Sequence, residues 1–162
     1  MRGLHIDIDL GAQQLRLRDG VHSVAEFPVS TALKGAGEQQ GSERTPRGRH
    51  VVRAKIGAGL PTGTVFVARR PTGEVWSAAL AAANPARDWI LTRILWLSGC
   101  EVGRNRLGAV DTMRRYIYIH GAPEGSPLGT PASHGCIRMR NQDVVALFDA
   151  VPLGTPVDIR EG

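Results

Sequence analysis

Apolar and polar residues alternate along most of this chain with the two-residue period of a half-buried strand. His5-Ile6-Asp7-Ile8-Asp9-Leu10 alternates, Gly11-Ala12 interrupts, and Gln14-Leu15-Arg16-Leu17-Arg18 alternates again before Asp19-Gly20. An Asp-Gly pair between two such runs predicts a hairpin, because both residues tolerate the positive φ that a tight strand reversal demands. The returning strand is Val21 to Val29, and Pro28 puts its end at an edge or terminus. Further strands are predicted at His50–Ile56, Thr64–Arg69, Trp89–Leu97, Arg115–His120 and Thr155–Ile159. Trp89–Leu97 is the most apolar and therefore central, stopped by Ser98-Gly99; the polar, Gly-rich stretch from Lys34 to Gly48 reads as a surface loop. Two segments break the period. Ala78–Ala83, closed by Asn84-Pro85, predicts a short helix, with a plain connecting segment as the alternative. Asn141–Phe148 carries apolar residues at 144, 145, 147 and 148, with Asn141 as cap and Asp143 in the first turn, and predicts the clearest helix. No linker or repeat divides the chain, so residues 1–162 are expected to form one mainly β domain with a few short helices.

Composition narrows what such a domain does. At 162 residues a core needs neither metal nor disulfide staples, and the two cysteines, Cys100 and Cys136, match no disulfide framework and no common zinc spacing. A net charge of +5, with arginine dominating the 20 basic residues, draws polyanions or acidic polymers. The charge is scattered in pairs (Arg69–Arg70, Arg104/Arg106, Arg114–Arg115) and aromatics are only 5 %, too few for a base-stacking surface, so nucleic acid is not expected as the partner. No apolar run reaches the length of a membrane span, and the alternating N-terminus lacks the continuous apolar stretch of a secretory signal.

The chemistry concentrates at Ser133-His134-Gly135-Cys136-Ile137-Arg138-Met139, just ahead of the predicted second helix, with His120-Gly121 ending a predicted strand upstream. Between them runs a Gly/Pro loop, Ala122 to Ala132. A free thiol near pKa 8.5 is only about 3 % thiolate at pH 7, so a nucleophilic cysteine needs a histidine or an equivalent charge beside it. Two histidines qualify. His134 is two residues from Cys136 and shares its face in an extended segment; His120, sixteen residues away, reaches the thiol if the loop makes a hairpin-like return. Gly135 permits a tight turn whose backbone amides could face an oxyanion. Cys100, inside Leu97-Ser98-Gly99-Cys100-Glu101, reads as packing, and His5 and His22 as surface residues of the first strands. A metal site built from His120, His134 and Cys136 is chemically conceivable but is not expected, and no cofactor is implied.

Ser133-His134-Gly135-Cys136-Ile137-Arg138, with His120-Gly121 sixteen residues before the cysteine, resembles the signature of the L,D-transpeptidase (YkuD-like) catalytic domain. Thr45-Pro46-Arg47-Gly48 resembles that family's Thr-Pro-x-Gly turn, and the likeness runs from about His5 to Ile159. The resemblance implies a β-sandwich-like catalytic domain. It implies Cys136 as nucleophile, His120 as general base and the carbonyl of Gly121 as orienter of its imidazole. Ser133, His134 and Gly135 would shape the oxyanion turn, and Arg138, whose planar fork suits carboxylates, would bind one on the substrate. The implied partners are peptidoglycan stem peptides, one as acyl donor and one as amine acceptor. Water as acceptor gives an L,D-carboxypeptidase, and loss of chemistry gives a wall-binding module. The family implies the periplasm or cell envelope; the lack of a signal-like segment leaves the cytoplasm as the alternative, and a Cys100–Cys136 disulfide would mask the nucleophile.

Overall fold

In a computed structural model describing residues 3–162, the predicted alternation becomes burial. In β1 (Leu4–Asp9) Leu4, Ile6 and Ile8 are buried while the residues between them are half-exposed, and in β2 (Gln14–Asp19) Leu15 and Leu17 turn inward. Asp19-Gly20 reverses the chain into β3 (His22–Pro28), with Gly20 at φ +61°. The remaining strands are β4 (Gly48–Ile56), β5 (Thr64–Val67), β6 (Arg70–Val75), β7 (Ile90–Gly99), β8 (Tyr118–Gly121), β9 (Ile137–Met139) and β10 (Pro156–Arg160).

All ten strands join one mixed sheet, ordered β3-β2-β1-β10-β4-β7-β5-β6, with β8 paired to β7 and β9 paired to β8. The pairs β1–β10 and β8–β9 are parallel and the others antiparallel. The inward residues of β1, β2 and β10 meet Ile119 of β8, Ile137 and Met139 of β9, and Val144, Leu147 and Phe148 of the second helix in one apolar cluster. This is a mainly β fold with a mixed sheet and a few short helices, as expected. No helix among the described residues is long and apolar enough to cross a membrane.

Ala78–Ala83 forms α1, capped by Ser77 Oγ, which accepts the amide of Leu80 at 3.0 Å. Asn141–Ala150 forms α2, but its cap is the extended Arg140 and not Asn141. Asn141 is the first helical residue, and its side chain is drawn away by a hydrogen bond from Thr92 Oγ1 at 2.6 Å. The strand expected over Thr64–Arg69 is also shorter: Ala68 and Arg69 adopt φ of +49° and +64°, the reversal of a tight hairpin, and the chain returns as β6. As the last strand on its side of the sheet, β6 tolerates Pro71. The strand expected from Arg115 starts only at Tyr118, because residues 112–116 turn through Tyr116 at φ +57°.

Candidate active site

His120 and Cys136 are brought to one pocket by the parallel pairing of β8 with β9, not by the hairpin-like return expected from the loop between them. The register of β8 and β9 places His120 opposite Arg138 and Ile119 opposite Ile137. With a period of two, Tyr118 and His120 share a face on β8, and Cys136 and Arg138 continue that face next door. These four side chains line one pocket of about 450 Å³ with Ala68, Arg69, Asp88, Ile90, Tyr116, Ser133 and His134. Gly121, the other residue implied at the site, is buried at the end of β8 behind His120.

The imidazole of His120 is buried, and its Nδ1 lies 2.6 Å from the carbonyl oxygen of Gly121. A carbonyl only accepts, so Nδ1 carries the proton and Nε2 keeps its lone pair. This geometry rests on an irregularity in β7. Leu91 pairs with Gly121 and Ile94 with His120, so two residues of β7, Thr92 and Arg93, bulge opposite adjacent residues of β8. A bulge interrupts the ladder and re-aims nearby groups, here beside the carbonyl that orients the histidine. Thr92, a buried β-branched residue at φ +76°, is held in this conformation by both roles of its hydroxyl. Oγ1 accepts the amide of Gly63 at 3.0 Å and donates to Asn141. Sequence alone gave no signal for this residue.

The cysteine turn is tied from both sides. Ser133 Oγ donates to the Cys136 carbonyl at 2.6 Å and accepts the Gly135 amide at 3.1 Å. Thr45, fully buried, donates its hydroxyl to the Gly135 carbonyl at 2.9 Å and accepts the Ala32 amide at 3.0 Å, giving the Thr-Pro-x-Gly segment a structural task in holding the cysteine turn. Gly135 adopts φ +129°, where side chains are strained, and a Cβ there would crowd the Arg44 carbonyl and Ile117 at 3.2 Å each.

The Cys136 sulfur receives the amide of Tyr118 at 3.3 Å and donates to the carbonyl of Tyr116 at 3.3 Å. Burial pushes the thiol up to about 12, against the smaller pull of the Tyr118 amide. Burial likewise pushes His120 down to about 4, against the Gly121 carbonyl that favours its charged form. Both shifts favour a thiol and a neutral imidazole over the charged pair. His134 is exposed, 4.0 Å from Asp88, and Arg138 binds the same carboxylate at 3.2 Å. Asp88 and Arg69 entered the site unannounced. Among the described residues, no group of three or more metal-binding side chains forms.

Cys100, expected as packing, is exposed. β7 ends at Gly99, against which Asn105 packs, and Cys100 follows with its amide bonded to the Arg49 carbonyl at 2.9 Å. Both cysteines are free thiols, so the disulfide is not formed. His5 is half-exposed beside Asp7, and His22 is exposed on β3.

The model of the L,D-transpeptidase catalytic domain (YkuD) matches residues 3–159. The chain belongs to this family. A probable L,D-transpeptidase ErfK/SrfK of Salmonella typhimurium is 35 % identical over 96 residues, which cover 57 % of this chain and 30 % of that protein. An L,D-transpeptidase from Mycobacterium smegmatis superposes with a TM-score of 0.57 at 16 % identity, covering 98 % of this chain and 58 % of that one. L,D-transpeptidase 3 from Mycobacterium tuberculosis, solved with a faropenem-derived adduct, gives 0.58 at 17 % identity, over 98 % and 60 %. At such identities the structures attest the shared β-sandwich fold. This L,D-transpeptidase domain spans about a third of its curated relative and about three-fifths of the solved chains.

Proposed function

We propose that this domain is a cysteine acyltransferase that acts on peptidoglycan tetrapeptide stems in the cell envelope. The observation that carries this reading is that a thiol and a histidine locked in the tautomer of a base line one pocket. The thiol of Cys136 leaves its Tyr116 acceptor and gives its proton to Nε2 of His120 as sulfur attacks the carbonyl of the diamino residue. The C–S bond forms, the carbonyl π pair moves onto oxygen, and the backbone amides of the cysteine turn stabilise that charge. The Gly135 amide is committed to Ser133 Oγ, which leaves the amides of His134 and Cys136 for the task. Collapse of the intermediate breaks the C–N bond, and the imidazolium protonates the departing D-alanine amine. An acceptor amine then attacks the thioester and passes a proton to His120; the intermediate collapses with cleavage of the C–S bond, and His120 returns the proton to sulfur as the new amide forms. Burial favours concerted transfer, since neither a free thiolate nor a free imidazolium is stable in this pocket.

The test is intact-protein mass spectrometry after incubation with a tetrapeptide stem or a penem, with and without an amine acceptor. An adduct on Cys136 and cross-linked product with the amine are expected. Trimmed stems alone in both arms would mean that water is the acceptor. No adduct from either reagent under reducing conditions, or equal turnover by Cys136→Ser, would remove the assignment.

A further inference from the structure

The pocket holds two arginines, and they differ in what neutralises them. Arg138 is paired: Nη2 lies 3.2 Å from Asp88 Oδ1, and Nη1 donates to the Ala132 carbonyl at 3.4 Å. Its fork is largely spent on the protein itself. Arg69, on the wall formed by the β5–β6 reversal, has no carboxylate partner among the described residues, and Asp88 is the only carboxylate in the pocket lining. The Arg69 guanidinium lies over two neighbouring aromatic rings, 4.8 Å from the centroid of Trp96 and 4.7 Å from that of Tyr116, whose centroids are 6.1 Å apart. Nη1 donates to the Tyr118 hydroxyl at 2.9 Å. The phenol is raised above its ordinary range by burial and stays neutral, so it orients the cation without cancelling its charge.

This placement is unusual for a surface arginine. A long side chain that would otherwise sample many rotamers is held by two ring faces and one hydrogen bond, so little entropy is left to lose when an anion binds. It is also close to the reaction, since the backbone amide of Tyr118 donates to the Cys136 sulfur at 3.3 Å. An excess, preorganised, planar cation beside a nucleophile is matched by a carboxylate.

We propose that Arg69, packed over the faces of Trp96 and Tyr116, is the specificity-determining residue that receives a carboxylate of the acyl-donor stem. The proposal rests on the acyltransferase reading above. A tetrapeptide stem offers a carboxylate on its terminal D-alanine and, where the diamino residue carries one, a second on that side chain. The chemistry of recognition is the same for both. Arg138, held by Asp88, keeps the floor of the pocket in shape, and Arg69 takes the substrate-carboxylate role that the sequence motif suggested for Arg138.

The experiment compares kcat/KM for three tetrapeptides: the free diacid, its C-terminal carboxamide and its side-chain carboxamide. The variants are Arg69→Gln and Arg69→Lys, each checked by thermal melting. The wild type should prefer the free carboxylate over at least one carboxamide by about tenfold, the scale of a charge-assisted hydrogen bond. In Arg69→Gln that preference should collapse to within about twofold through KM, with kcat little changed, and Arg69→Lys should keep part of it. The arm that loses its preference identifies the carboxylate. Because the readout is a ratio within one variant, loss of folded protein scales all arms alike and does not imitate the effect. A wild type without preference, or an Arg69→Gln variant that retains it, overturns the proposal. A wild type inactive on all three peptides removes the acyltransferase reading and this inference with it.

Discussion

The hydroxyl of Thr45 reaches across 90 positions of sequence to the carbonyl of Gly135, at 2.9 Å. Through that bond an early loop fixes the backbone immediately before the nucleophile. Thr45→Val keeps the volume but leaves the Gly135 carbonyl and the Ala32 amide unpaired in a buried place. The expected cost is about 1–3 kcal/mol in chemical denaturation. The loosened turn should also lower kcat/KM by roughly 10- to 100-fold, the usual penalty for a misplaced reacting group. Thr45→Ser should restore both.

Gly121 and Gly135 should fail for different reasons. A Cβ on Gly121 would collide with Asn141 Oδ1 and lie 2.8 Å from the Leu91 carbonyl, so Gly121→Ala should separate β8 from β7 and abolish activity. Gly135→Ala meets neighbours that are only close, and its main cost is backbone strain of about 1–3 kcal/mol. Thermal melting should find both variants destabilised, Gly121→Ala the more so.

The activity profile follows from a base whose folded value is about 4 and a thiol near 12. In the proposed mechanism His120 acts in its neutral form, so the rate of acylation by a penem should be flat through neutral pH and fall as pH drops through about 4. Alkylation of Cys136 by iodoacetamide should be slow at pH 7, because little thiolate exists. An acylation rate with its midpoint at the ordinary histidine value of 6.5 would overturn this account.

His50 makes a separate prediction about stability. It is buried, with Nδ1 donating to the Gly48 carbonyl at 3.0 Å and Nε2 accepting from Thr112 Oγ1 at 2.9 Å, and burial lowers it from 6.5 to about 4. Above pH 6.5 neither the folded nor the unfolded form is charged, and the histidine carries no penalty. Between 6.5 and 4 the unfolded chain takes a proton that the folded one refuses, so stability declines as pH falls. The loss tends towards about 3 kcal/mol for this residue, and His120, lowered by burial in the same direction, adds to it. His50→Gln should flatten the dependence of melting temperature on pH over that interval.

Much of the fold was legible because burial follows local alternation. Leu4, Ile6, Ile8, Leu15 and Leu17 point inward as their pattern requires, and Ala78–Ala83 is helical within the expected bounds. The cysteine segment was legible because Ser, His, Gly and Cys stand contiguous. What stayed hidden depends on distant partners. β6 reads Arg-Pro-Thr-Gly-Glu-Val and is a strand only because β5 pairs with it. Asn141 looked like a cap until Thr92 claimed its side chain. Arg69 and Asp88 carried no local mark among the many charged residues, and their place in the pocket comes from a hairpin reversal and from the segment leading into β7.

The parallel pairing of β8 with β9 has a use for protein engineering. Catalytic geometry is set by strand register, while the loop that joins the two strands is pinned late, by the Gly129 amide on the Val29 carbonyl and the Ala132 and Ser133 amides on the Thr31 carbonyl. The stretch from Glu124 to Pro127 lies ahead of these anchors and is largely exposed. That stretch is a permissive insertion point, where an affinity handle or a grafted recognition peptide can be carried within reach of the active site without changing how histidine meets cysteine.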